Sequence, residues 1–548
     1  MTPRHPRTRA RRDEQGYIAV TTGLLLIVLM SFCAFAVDVG NWYLTGQRAQ
    51  RAADAAALAG VTKLPGNQNG AFAMAKSYSA NNGFTNGSNS TVVSPALSGG
   101  PTRLRVDVTR TVDNIFGPLL GKPRTTISRY AVADFAGPVP LGSPCNRFGD
   151  DPAPGTTASA NCDNTGLFWA NVGSPAARKI SGDAFQNNNC TSGEGGCSSN
   201  KNLDYDARGH VFTVTLRQPV SQLTIEAFDP AQVFVGDVCD KNNLAGAKNL
   251  APADTAVPDP SVRYAPYAGV WCTGDQSFSN PPSPPNDKGL IRTQFIIRSP
   301  GTNPWDPTTW PIVNRCTKVF EPYNGDLAKV LKKNTAEYNL NPHVAENFRR
   351  WVTLCDFPGP TPAGTYAIQV QTNGLGADPQ GGHNRFGLRA YGSATGDKDN
   401  ISIAGFGKMV MYANTPGGAR TKFFLARIPS SSNGQIFNVN LFDIGDGATS
   451  GSTITVLPPS EIGGSFSGCQ GQGVTTGNLT DCTISVSGSY NGKWQTISVP
   501  IPVSYSCTDS SATGCWVRLE FYYGSGSTPS DTTSWQASVE GDPIRLVE

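Results

Sequence analysis

Residues 17–61 read YIAVTTGLLLIVLMSFCAFAVDVGNWYLTGQRAQRAADAAALAGV, and the first 21 of them, Tyr17 to Val37, carry no charge. A helix rises about 1.5 Å per residue, so this apolar run covers roughly 30 Å, the hydrocarbon thickness of a lipid bilayer. Arg4, Arg7, Arg9, Arg11 and Arg12 precede it and Asp38 follows it. That asymmetry sets residues 1–16 in the cytoplasm and everything after Asp38 outside. Trp42 and Tyr43 lie just past the run, where amphipathic rings favour the membrane interface. Ala34-Phe35-Ala36 has the form of a signal-peptidase site, but signal peptides have apolar cores of only about 7–15 residues. The stretch therefore reads as a retained single-pass transmembrane helix. Phe32 before Cys33 does not suit a lipoprotein signal.

Residues 44–61 continue with strong helix formers, and Ala52, Ala55, Ala56 and Ala59 recur at helical spacing. Span and extension predict one rod on the order of 65 Å, stopped by Gly60 and Pro65-Gly66. Its alanine face suits close packing against a sheet or a neighbouring helix. The first 16 residues hold five Arg against Asp13 and Glu14, a net of +3, and the whole chain is also +3. The exported part is thus formally neutral, without the basic footprint of a nucleic-acid binder.

RDEQGYIAV, an apolar run ending in AVDVGNWYL, and QRAADAAALAG follow one another in an order that resembles the N-terminal segment of TadE/TadG-like proteins, over roughly the first 60 residues. The resemblance implies a membrane protein with a pilin-like N-terminal helix, associated with Tad (Flp) pilus assembly and export, whose partners are pilus or secretion machinery. Prepilin processing is not expected, because Thr21 stands five residues after Gly16 where Glu is required.

Residues 38–136 read as the helix plus a small α+β region: a helix at 71–81, a strand with Leu104, Val106, Val108 and Arg110 on one face, and another at 125–135. Beyond Gly137-Pro138 the chain is internally duplicated. HVFTVTL (from His210), LTIEAFDPA (Leu223), TQFIIRSP (Thr293), RWVTLCDFP (Arg350), GTYAIQV (Gly364) and NRFGLRAYG (Asn384) are matched in order by KFFLARI (Lys422), FNVNLFDIG (Phe437), STITVLPP (Ser452), KWQTISVPIP (Lys493), GCWVRLEF (Gly514) and TSWQASVEG (Thr533). A repeat unit well over a hundred residues long means two copies of a domain. The segments are β-branched or aromatic and mostly alternating, with turn residues between them. The expected fold is therefore mainly β: the N-terminal helix and its α+β region, then two duplicated jelly-roll-like β-sandwich domains at 142–397 and 398–548. Leading strands are expected at 166–180 and 401–414, and a helical insertion at 300–350.

Of 13 Cys, Cys33 falls in the span and twelve lie outside, enough for six disulfides in an oxidising space. Spacing does not dictate connectivity. Pairing of sequence neighbours is the expectation: Cys145 with Cys162, Cys190 with Cys197, Cys239 with Cys272, Cys316 with Cys355, Cys469 with Cys482, and Cys507 with Cys515. No C-x-x-C occurs and His210, His343 and His383 show no ligand spacing, so neither metal nor cofactor is expected. Asp443 and Asp446 in DIGDG, and Asp397 and Asp399 in GDKDN, lie in Gly- and Asn-containing turns, where they serve turns more readily than calcium.

G-x-S-x-G, H-E-x-x-H, G-x-G-x-x-G and P-loop sequences are absent. Glu226, Asp229, Glu520 and Glu540 are the carboxylates that a glycosidase would recruit, and Tyr522 and Tyr523 the rings that could stack on sugar. The residues together point to a membrane-anchored, extracytoplasmic structural or binding protein, not an enzyme, serving Tad-type pilus assembly, surface export or adhesion. A cell-wall glycan-binding module is the alternative, and a secreted glycosidase a more distant one.

Overall fold

From Glu14 to Val61 the chain forms one 48-residue helix, α1. The computed structural model describes residues 14–64, 68–98, 103–135, 138–149, 168–234, 275, 290–372, 381–414, 417–511, 513–527, 530–540 and 544–546. The basic segment ahead of α1, and Cys162, Cys239 and Cys272, lie outside them. Contacts divide the chain into two units, one of Met1–Leu64, Gln68–Phe135 and Pro543–Glu548, the other of Ala136–Asp542 with Pro65–Asn67.

In the first unit α1 packs with a second helix, Gln68–Asn81 (α2), on an antiparallel sheet of Thr91–Leu97 (β1), Arg103–Asp113 (β2), Arg124–Phe135 (β3) and Ile544–Leu546. The chain therefore returns to its first unit at its end, adding residues 544–546 from the span read as the second sandwich copy. Three residues without alternation give that strand no signature. β1 also escaped the sequence reading, because Pro95 interrupts its pattern. Fully buried on α1 are Ala49, Ala52, Ala53, Ala56 and Ala57, facing Leu104, Val106 and Val108 of β2. Ala55 and Ala59, assigned to that face by spacing, are half-buried; the stripe runs one step round, through Gly46 and Gly60. A Cβ on Gly60 would come within 2.4 Å of Leu104 Cδ2 and 2.9 Å of the Ala71 carbonyl, so only glycine permits this approach.

The second unit begins with Pro140–Leu141 (β4), Arg147–Phe148 (β5), Phe168–Gly173 (β6) and a small hairpin of Cys197–Ser198 (β7) and Lys201–Asn202 (β8). His210–Leu216 (β9), Leu223–Phe228 (β10), Thr293–Arg298 (β11), Ile312–Phe320 (β12), Trp351–Phe357 (β13), Gly364–Thr372 (β14) and His383–Tyr391 (β15) complete the first copy. The second copy supplies Ile401–Phe406 (β16), Lys408–Asn414 (β17), Arg420–Arg427 (β18), Ile436–Phe442 (β19), Thr453–Leu457 (β20), Cys469–Gln472 (β21), Gly477–Leu479 (β22), Thr483–Ser485 (β23), Trp494–Pro500 (β24), Trp516–Tyr522 (β25) and Ser530–Val539 (β26). The insertion carries β12 and short helices at Leu327–Val330 (α3), Ala336–Leu340 (α4) and Pro342–Asn347 (α5).

These strands form a sandwich of two long sheets. One runs β13-β10-β15-β6-β17-β26-β19-β24-β21-β22 with β5 added on β15, the other β12-β11-β14-β9-β16-β4-β18-β25-β20-β23. The matched segments hold equivalent places: β13-β10-β15 mirrors β24-β19-β26, and β11-β14-β9 mirrors β20-β25-β18. The copies join edge to edge through β6–β17 and β16–β4. The leading run at 401–414 breaks at Gly407, whose φ of 71° turns it from one sheet into the other. Its first half, β16, pairs with β9 of the first copy, while β4 at the start of the sandwich unit pairs with β18 of the second. Each copy thus lends its opening strand to the other.

A single core fills both copies. Its rings form a chain, Phe320–Phe295–Phe386–Phe212–Phe148–Phe168–Phe423, each 5.1–6.1 Å from the next. Asp229 and Asp443 close β10 and β19 with φ of 53° and 62°, a left-handed conformation that Asp tolerates better than most residues. Their carboxylates accept from the backbone N–H of Arg349 (3.0 Å) and Gly492 (2.6 Å), which accounts for the Phe-Asp pair in both copies. Disulfides join Cys190–Cys197, Cys316–Cys355, Cys469–Cys482 and Cys507–Cys515; Cys145 is also disulfide-bonded, and Cys33 is free.

Because Phe168 belongs to the first copy and Phe423 to the second, truncating either to Ala is expected to destabilise by about 3–5 kcal/mol and to lower one shared sandwich transition. Urea unfolding followed by tryptophan fluorescence checks this. Two transitions, each moved by only one of the substitutions, would contradict a common core.

Candidate functional site

The first candidate site is the point where α1 leaves its apolar run. Asp38 is only 4% exposed, and its carboxylate accepts from the backbone N–H groups of Ile115 (2.7 Å) and Phe116 (3.0 Å) in the β2–β3 connection. One turn further, Trp42 Nε1 donates to Asn114 Oδ1 at 2.7 Å. Asn114 in turn donates to the Lys122 carbonyl (2.7 Å) and Thr125 Oγ1 (3.1 Å). The i, i+4 spacing puts Asp38 and Trp42 on one helix face, and the bonds to Asp38 are of the stronger, charge-assisted kind. Trp42, expected at the interface, has its polar tip committed to protein, while Tyr43 is 66% exposed.

The second is a cleft of about 560 Å³ in the sandwich unit, lined among others by Phe185, Tyr205, Asp206, Trp305, Lys408 and Gln536. Lys408 follows the β16–β17 turn and Gln536 lies on β26, so both copies build it. Asp206 accepts from Arg208 (2.8 and 2.9 Å) and Lys408 (2.6 Å), and these partners hold its carboxyl well below the usual range despite burial. Asp204 meets Lys179 at 2.5 Å and Trp494 Nε1 at 3.0 Å. Asp306 caps the turn at 307–309 and meets Arg208 at 3.1 Å. Every lining carboxylate therefore has a cation against it.

Beneath the cleft, the chain brings together histidines that sequence separation kept apart. His210 Nε2 lies 3.0 Å from Asp183 Oδ2. His383 Nδ1 contacts the Asn171 amide at 2.8 Å and its Nε2 the Asn187 amide at 3.3 Å. Arg385 is buried beside them, over the Tyr412 ring at 3.7 Å. The Asp183–His210 pair is sealed in the core, out of substrate's reach. Burial, then the Arg385 charge, push the His383 pKa down to about 3. Burial and the neighbouring Asp446 push Asp531 up to about 7.

The residues singled out by sequence have mostly structural partners. Glu226 binds Arg389 (2.6 Å), Glu520 binds Arg420 (2.7 Å), and Glu540 accepts from Asn438 (2.9 Å). Tyr523 is buried and donates to Asp531 at 2.6 Å, and Tyr522 lies under Arg420. Asp397 accepts from the backbone N–H of Ser221 and Ala394. Among the described residues, the two groups of side chains with metal-ligand spacing, Cys190/Glu194/Cys197 and Glu461/Cys507/Cys515, have their sulfurs tied in disulfides. The cleft itself was missed, because its residues come from five separate stretches.

Residues 16–63 match the family model of putative Flp pilus-assembly TadE/G-like proteins. The N-terminal segment is TadE/G-like, and the match ends well before the sandwich unit. No curated protein and no solved structure matches the chain. The one helix among the described residues long and apolar enough to cross a membrane is α1. These two findings support a membrane protein associated with Tad pili.

Replacing Asp38 by Ala leaves two loop N–H groups without their acceptor and is expected to cost roughly 1–3 kcal/mol locally; faster amide exchange at Ile115 and Phe116, with α2 unchanged, is the readout. His383 gives a second expectation. With a folded pKa near 3 against about 6.5 unfolded, its contribution is complete above pH 6.5 and is lost as pH falls towards 3, at up to about 1.4 kcal/mol per unit. Asp531, raised to about 7, acts oppositely, favouring the fold at low pH and losing its contribution as pH rises from about 4 to 7. His383→Asn should therefore raise the urea midpoint at pH 4 relative to that at pH 6.5, and an unaltered slope between the two would exclude a contribution from His383.

Proposed function

We propose that the chain is a single-pass membrane protein with its N-terminus in the cytoplasm, and that it holds its sandwich unit outside as a structural or binding component of Tad-type pilus assembly, surface export or adhesion. The observation that carries this reading is the clamp at Asp38 and Trp42. A helix with an apolar outer surface is tied, at the end of its apolar run, to a folded unit, as an anchor bearing an external load requires. The disulfides of the sandwich unit support an oxidising compartment, and the five Arg ahead of Tyr17 support the orientation. A non-enzymatic role is supported by the pairing of the cleft carboxylates with cations. Such groups neither hold a proton for general-acid work nor stand free as a base.

Protease added to intact spheroplasts is expected to degrade the chain after Asp38 while sparing an epitope placed before Tyr17. Deletion of the protein should impair pilus assembly, export or attachment. A C-terminal half out of protease's reach, or a deletion strain unaffected in all three, would overturn the reading.

A further inference from the structure

The cleft described above has polar groups that the fold leaves unused. Among the described residues, the Tyr205 hydroxyl and the Gln536 side-chain amide make no hydrogen bond to protein. Lys408 Nζ makes one, to Asp206, leaving two of its three donors. Trp305 is 39% exposed at the rim, and Phe406 and Phe185 add apolar wall. Half-buried donors and acceptors left unfilled in a concave site are costly unless water or a ligand meets them.

The character of the ligand follows from the charges. Asp204, Asp206 and Asp306 are each neutralised by Lys179, Arg208 or Lys408, so no net charge is left to attract an anion or a cation. What is on offer is neutral hydrogen bonding from several directions beside apolar ring faces. A pyranose matches this, with hydroxyls around its edge and C–H groups on its face that pack on an aromatic ring. The volume, about 560 Å³, lies within the range of small-ligand sites, roughly 300–1,000 Å³.

We propose that this cleft binds a short stretch of neutral saccharide, with Trp305 as the stacking platform and Tyr205, Gln536 and Lys408 as donors to its hydroxyls. Burial and the nearby Asp206 raise the Tyr205 pKa, which keeps its phenol in the donating form. The inference rests on the outside placement of the sandwich unit only for access to such a glycan, and binding by purified protein is independent of topology.

Isothermal titration of the full chain, in a detergent without a sugar headgroup, tests it with maltotriose, cellotriose, xylotriose and tri-N-acetylchitotriose, each taken to about 10 mM. At least one should bind, with Kd between about 10 μM and 1 mM. Trp305→Ala should weaken that binding roughly tenfold or more, and Tyr205→Phe and Gln536→Ala several-fold each, with unchanged melting temperatures showing that the variants fold. No binding by any of the four sugars, binding indifferent to both Trp305→Ala and Gln536→Ala, or tighter binding of inorganic phosphate would overturn the proposal. Spheroplast proteolysis reports separately on topology.

Discussion

The first unit depends on how closely α1 can approach its sheet. Its core is mostly alanine, and alanine offers little area, so the contact holds only if backbones come near enough for dispersion to act across the whole face. Gly60, which admits no side chain against Leu104 and the Ala71 carbonyl, is what permits this. The same helix carries an apolar half whose side chains are exposed in the fold and suit lipid. One element thus carries two kinds of surface, and Asp38 and Trp42 mark where one gives way to the other.

The sandwich solves a different problem by repetition. Two copies laid edge to edge would each expose an unpaired strand at the seam, a liability for any sheet. Pairing β6 with β17 and β16 with β4 removes those edges, and the exchange of opening strands makes each copy complete only in the presence of the other. The continuous run of phenylalanines through the core follows from that arrangement. So does the cleft, whose Gln536 and Lys408 come from the copy that does not supply Tyr205 and Trp305.

Burial of charge inside the sandwich is extensive but compensated. Lys179 and Arg385 are enclosed, yet each has acceptors or an aromatic face against it, as buried ions require. The same compensation reaches the cleft, where each lining carboxylate has a cation against it.

The residues by themselves determined the apolar run, the alanine helix and the duplicated strands, because these are written as local periodicity: an uncharged run of bilayer length, a 3.6-residue stripe and two-residue alternation. The Phe-Asp pair ending β10 and β19 was visible for the same reason, although its cause, a left-handed Asp capping a distant N–H, was not. Which alanines face inward, the return of residues 544–546 to the first sheet, the crossing of β4 and β16, and the meeting of His210 with Asp183 were decided only by tertiary structure. These are pairings across tens to hundreds of residues, chosen by shape and by the need to satisfy buried polar groups, and no short stretch of chain encodes them.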